Sequence, residues 1–180
     1  MSNQDDLLAI VRPPNDGRSI AVEWGEFESS LGFSLPGDYK WLIDTYGPGK
    51  FDNFLHVLQP YSESEYVQLG HWLVRGREIL HQLSRREEHP YPVDELLPVA
   101  ITDNGDTIYW VSRPLDVPDS WTITANEARG VRWPDFGGGI VNFLVEVLSG
   151  RLRFEIFPAD FPSADPEFSR YTARRRRQRP

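Results

Sequence analysis

Ser34-Leu35-Pro36-Gly37-Asp38-Tyr39-Lys40-Trp41-Leu42-Ile43-Asp44-Thr45-Tyr46-Gly47-Pro48-Gly49 is the stretch from which the rest of the chain is read. Pro36 suits a first helical position, because its missing N–H is one that a helix start leaves unpaired in any case. Asp38 adds negative charge at the positive end of the helix dipole. Tyr39, Leu42, Ile43 and Tyr46 recur at i, i+3, i+4 and i+7 and give one apolar stripe, which Gly47-Pro48 ends. Trp41 does not fit that stripe: at about 100° per residue it points roughly opposite its middle. Either a neighbouring element covers it, or the indole is presented to a partner, since Trp is favoured at binding hot spots. The burial of most large aromatics favours the first.

Upstream, Ile20, Trp24, Phe27 and Leu31 predict a helix from about residue 20 to 31, ended by Gly32. Downstream, Phe51 to Leu58 reads as a strand closed by Pro60. Glu63 to Arg85 reads as the longest helix, with Gly70 and Gly76 as weak points. Leu97–Ile101 and Thr107–Val111 read as strands flanking Asp103-Asn104-Gly105-Asp106, and Asn104-Gly105 tolerates the positive φ of a tight hairpin. Trp121–Thr124 and Gly130–Trp133 add short strands. Gly137-Gly138-Gly139 leads into a helix with Ile140, Phe143, Leu144, Val147 and Leu148 inward, ended by Gly150. Arg151–Phe157 alternates like a strand with one buried face. Helices precede, interrupt and follow strands without a βαβ rhythm. The expectation is one α+β domain, a mostly antiparallel sheet packed against several helices. Its expected limits are residues 19–167, after an N-terminal extension (1–18) and before an arginine-rich, disordered tail (168–180).

The chain has 180 residues, no cysteine, and 39% hydrophobic content with six Trp, seven Tyr and ten Phe. That is too apolar and aromatic for a disordered protein. The lack of cysteine excludes a disulfide framework and thiol catalysis, and it fits a reducing cytoplasm. No apolar run reaches the roughly 20 residues of a membrane-spanning helix, and Asp5-Asp6 stand where a secretory signal would be basic. All 27 carboxylates lie between Asp5 and Glu167, while six of the 19 basic residues follow them: Arg170, Arg174, Arg175, Arg176, Arg177 and Arg179. A body this acidic repels nucleic acid and anionic membranes and attracts basic proteins. The arginine run allows weak contact with RNA or DNA, or with the acidic body itself.

Catalytic constellations are sparse. Gly32-Phe33-Ser34-Leu35-Pro36 resembles a nucleophile elbow, but a helix precedes it and proline replaces the last glycine, so Ser34 reads better as a helix starter. His56, His71, His81 and His89 form no metal-ligand spacing. Asp103 and Asp106 lack the later oxygens of a calcium loop and are explained by turn chemistry. Glu63 with Glu65, Glu87 with Glu88, and Asp94 with Glu95 read as solvated pairs. Gly47-Pro48-Gly49-Lys50 is too short for a phosphate cradle. Neither a cofactor nor a metal is expected, and binding is favoured over catalysis.

Trp24, Leu31-Gly32, Leu35-Pro36 with Asp38-Tyr39, Tyr46-Gly47 with Gly49, and Asp103-Asn104-Gly105-Asp106 before Ile108-Tyr109-Trp110 together resemble the SUKH superfamily. Phe143-Leu144 and Phe157-Pro158 resemble its ending, so the resemblance spans roughly residues 20 to 162. That group holds the fungal cell-wall-assembly regulator and many bacterial immunity proteins. The resemblance implies an α+β fold, no catalytic residues, and a role in neutralising a polymorphic toxin, frequently a nuclease, by direct binding. Trp41 and the arginine tail depart from the family pattern. The expected partner is a basic cognate toxin. The candidate contact residues are Trp41 with Asp38, Asp44 and Glu28, and, as a second patch, Asp103 and Asp106. The alternative is a general interaction or regulatory module with no toxin.

Overall fold

The structure, a computed structural model, describes residues 2–15, 21–62, 64–85 and 89–171. Its helices are α1 (Asn3–Ile10), α2 (Trp24–Leu31), α3 (Gly37–Tyr46), α4 (Leu69–Leu83) and α5 (Ile140–Leu148). Its strands are β1 (Gly49–Phe51), β2 (Leu55–Val57), β3 (Leu96–Thr102), β4 (Thr107–Val111), β5 (Thr122–Asn126), β6 (Asp135–Phe136) and β7 (Phe168–Arg170). They form one antiparallel sheet in the order β6-β5-β4-β3-β2-β1-β7. The protein is α+β.

The stripe read on α3 is the one it buries: Tyr39, Leu42, Ile43 and Tyr46. Pro36 stands one position earlier than expected, as the N-cap, and Gly47 closes the helix at positive φ. α1 and α3 pack on α5, which lies against β5. Adjacent β4 residues separate the two faces of the sheet, as the period of two requires. Trp110 joins the large core with Tyr39, Phe51, Ile123 and Phe143. Tyr109 joins a smaller cluster with Leu80 of α4, Leu96 and Val111.

Several expectations need correction. The N-terminal extension contains α1, started by a reciprocal Ser2–Asp5 capping box. It belongs to the core: Leu7 and Val11 are fully buried, and Tyr46 Oη donates to the Val11 carbonyl at 2.7 Å. Ile20, the expected first residue of the next helix, lies outside the described residues, and α2 starts at Trp24. Residues 51–58 are not one strand. Asp52 and Asn53 both take positive φ (47° and 52°), and Phe54 N–H bonds to Phe51 C=O, so a two-residue turn splits the segment into β1 and β2.

The long helix expected from residue 63 is also divided. After a short 3₁₀ turn at Glu65–Val67, Gln68 is extended and bridges to Gln59, with Gln59 N–H on Val67 C=O and Leu69 N–H on Gln59 C=O. α4 starts only then. Gly130–Trp133 is irregular, and the edge strand forms at residues 135–136 instead, opposite Ile123 and Thr124. Arg151–Phe157 keeps its alternation, with Phe154 and Ile156 buried, but pairs with no strand; Phe154 enters a ring cluster with Phe143 and Phe157. Finally, the chain does not leave the domain at residue 168. Phe168–Arg170 forms β7 along β1, and Phe168 packs on Tyr46 and Phe51. Residues 172–180 of the expected tail lie outside the described residues.

Candidate functional site

The carboxylates of the first expected patch each accept a hydrogen bond from within the chain. Asp38 Oδ2 accepts the Val141 N–H at 3.0 Å, so this residue of α3 caps the first turn of α5. Burial raises the Asp38 pKa; N–H donors of Val141, Tyr39 and Ile140 oppose that rise, and the nearby Asp119 carboxylate adds to it. Asp44 accepts the Trp24 indole N–H at 3.1 Å and joins α3 to α2. Glu28 accepts Leu35 N–H at 2.8 Å and Lys40 Nζ at 2.9 Å. Burial pushes the Glu28 carboxyl upward, but these two donors outweigh it and lower its pKa. Trp41 is half-buried against the large core, edge-on to Tyr46. The core therefore covers part of the indole and leaves the rest accessible.

The second patch divides. Asp106 is 3% exposed; its carboxylate accepts Thr102 Oγ1 at 2.9 Å and Ala128 N–H at 3.0 Å, fastening the β3–β4 turn to the chain after β5. The turn itself closes with Gly105 N–H on Thr102 C=O, and Gly105 alone takes positive φ. Asp103 is exposed.

Around Asp103 the fold assembles an end of the sheet that the sequence reading did not anticipate. Asp103 N–H bonds to Phe54 C=O, tying the β3–β4 turn to the β1–β2 turn. Asp52 N–H bonds to Glu167 C=O, and the Asp52 carboxylate accepts both N–H and Oγ of Ser163, at 2.7 and 2.6 Å. Arg132 bonds to Glu155 C=O and pairs with Glu127, whose pKa this hydrogen bond lowers. A cavity of about 420 Å³ lies here, floored by Phe54, Phe161 and Pro158 and edged by Asp52, Asp160, Asp165 and Glu167. A second, of about 370 Å³, lies beside Asp103, Asp106, Glu127 and Arg129. Among the described residues, Asp160, Asp165 and Glu167 are exposed and have no ion-pair partner. The result is an acidic rim held in place by backbone hydrogen bonds and by the Asp52 carboxylate.

One buried polar hub adjoins this rim. His56, on β2, is 5% exposed. Its Nε2 lies 2.7 Å from Asp103 Oδ1 and its Nδ1 lies 2.6 Å from Tyr171 Oη. A carboxylate only accepts, so Nε2–H donates to Asp103; in neutral imidazole Nδ1 then accepts the Tyr171 O–H. Tyr171 stacks on the ring at 12°, and Tyr66 meets it edge-on. His56 was visible in the sequence, but its partners are 47 and 115 residues away. Among the described residues no group of three or more His, Asp or Glu side chains is arranged to hold a metal ion. No helix among them is long and apolar enough to cross a membrane.

An antiparallel sheet with helices on both faces and an acidic turn-bearing end defines an α+β domain of the kind the sequence motifs imply. The profile of the SUKH_6 family, described as SMI1-KNR4 cell-wall, matches residues 22–132, more than half of the chain, and the chain belongs to that family. The match runs from just before α2 to the approach to β6. It is shorter than the span expected from the motifs and leaves out α1, β6, α5 and β7. Neither a curated protein nor a solved structure matches the chain.

Proposed function

We propose that this chain is a non-enzymatic immunity protein of the cytoplasm that neutralises a basic cognate toxin, a nuclease being the best chemical fit, by covering it with the acidic end of the sheet. Family membership supports a binding or regulatory role. The observation that carries the finer reading is a group of exposed carboxylates without ion-pair partners among the described residues, Asp160, Asp165 and Glu167, on loops pinned to the sheet. A nuclease must present cationic side chains where it holds phosphates. Fixed carboxylates meet such a surface without first having to be ordered, and opposite fields speed the encounter.

The test is association with the product of the adjacent reading frame. Reversing three charges together, Asp160→Lys with Asp165→Lys and Glu167→Lys, is expected to slow association about 10- to 100-fold at low salt. The melting temperature should stay within a few degrees, because all three side chains are exposed. Tight binding that ignores both salt and the reversal would refute the acidic end as the contact. A second reading, a regulatory module with no toxin partner, is favoured by the cell-wall description of the matched family. It requires that the neighbouring product fail to bind the folded chain.

A further inference from the structure

The arginines at 174–177 and 179 have no role in the reading above. They lie outside the described residues and begin three positions beyond Tyr171. Tyr171 is the last described residue, and its ring lies on His56, directly beside Asp103. Tyr66 is 52% exposed and Tyr171 37% exposed. Burial and then the charge of Asp103 raise the Tyr66 pKa; burial, then Tyr66 and Asp103, raise that of Tyr171, so these groups share one neighbourhood. His56 holds Oδ1 of Asp103, and Oδ2 of this half-exposed side chain forms an ion pair with Lys50 Nζ at 3.9 Å, longer than a hydrogen bond.

We propose that this surface, formed by Tyr66, Tyr171 and the outer oxygen of Asp103, is the docking site of the chain's own arginine segment, residues 174–179. A planar guanidinium stacks on an exposed phenol ring and donates to a carboxylate at the same time, which a lysine ammonium does less well. Three extended residues span at most about 11 Å, so Arg174 begins within reach of Asp103. A short tether sets an effective concentration on the order of millimolar, enough to populate contacts too weak to hold separate molecules together. The acidic body supplies the general attraction, and the two phenols with Asp103 supply the address. Lys50 is the cation that the segment displaces from Asp103 or joins there. Under the immunity reading, a basic partner approaching the acidic end meets this segment as a competitor, but the docking itself does not rest on that reading.

The experiment titrates a synthetic peptide of residues 172–180 into two full-length proteins at low salt. One is the natural chain, and the other carries R174Q, R175Q, R176Q, R177Q and R179Q. The neutralised chain is expected to bind the peptide at least about tenfold more tightly, because its own segment no longer competes. In that background Tyr66→Ala should weaken binding about three- to tenfold. Tyr66→Phe should keep most of it, and a peptide with lysine at every arginine position should bind less well. Tyr66 is exposed, so its replacement leaves folding intact, and a thermal melt checks this. Equal affinity for the two chains would overturn the proposal, leaving the surface free for another molecule. Indifference to Tyr66→Ala would overturn it too, placing the arginines diffusely on the rim. No toxin enters the titration, so its failure and that of the immunity reading are separate results.

Discussion

Glu28, Asp38 and Asp44 each give their oxygens to a donor inside the fold: a loop N–H with a lysine, a helix start, and an indole. At the other end of the sheet, Asp160, Asp165 and Glu167 keep theirs in solvent, and the loops that carry them are pinned by other groups, Asp52 foremost. Both sets belong to the same acidic surplus. Their difference is one of neighbours: around α3 the carboxylates themselves join elements of the fold, whereas at the acidic end Asp52 and backbone hydrogen bonds hold the loops and leave Asp160, Asp165 and Glu167 exposed. Net charge therefore overstates the surface available to a partner, because some of the carboxylates serve hydrogen bonds within the chain.

Asp106 gives the sharpest test of this division, because it lies at the acidic end and yet behaves like the first group. Its replacement by alanine strands the buried Thr102 hydroxyl and removes the acceptor of the Ala128 N–H. Hydrogen bonds to a charged acceptor contribute roughly 1.5–3 kcal/mol each, so Asp106→Ala should cost about 3 kcal/mol in urea unfolding. Asp160→Ala should stay within about 0.5 kcal/mol. Equal costs for the two would erase the distinction. Asp44→Ala, next in size, removes the acceptor of the Trp24 indole and should cost about 1 kcal/mol. It should leave affinity for the neighbouring product unchanged; a tenfold loss there would return the α3 patch to the functional surface.

Elements governed by local chemistry were legible in the sequence. α3, α5 and the β3–β4 hairpin follow from apolar spacing and from Asn104-Gly105, and each formed close to where it was expected. The β1–β2 turn was missed because Asp52-Asn53 is a weaker signal for positive φ than Asn-Gly, and the flanking Phe51 and Leu55 look like one apolar run. Arg151–Phe157 has the period of a strand without a partner strand: alternation reports one buried face, and here aromatic packing supplies that face. β7 was hidden because the arginines that follow Phe168-Ser169-Arg170 dominate the composition of the last residues. The candidate site was legible only at Asp103. The rest of the acidic end is gathered from residues 52, 155, 160, 165 and 167, which no local pattern connects.

The smallest effect separates two carboxylates within the α3 group. Glu28 has a lowered pKa in the fold, so it stays ionised where the unfolded chain has begun to take up protons. Its contribution to stability is fully present above its ordinary value of 4.5 and is lost as pH falls through the lowered folded value. Asp38 has a raised pKa, chiefly from burial, so between 3.8 and its raised value the folded chain binds more protons than the unfolded one, and stability declines as pH rises through that window. Melting curves from about pH 3 to about pH 6 should therefore slope in opposite directions when each variant is subtracted from the natural chain. The margin over Glu28→Gln should widen with rising pH, and the margin over Asp38→Asn should narrow. Asparagine still offers an oxygen to the Val141 N–H, so the second comparison removes the charge while sparing the hydrogen bond. If both margins widened with rising pH, helix-start donors would outweigh burial at Asp38, and its carboxylate would stabilise the α3–α5 junction as an ion instead of merely as an acceptor.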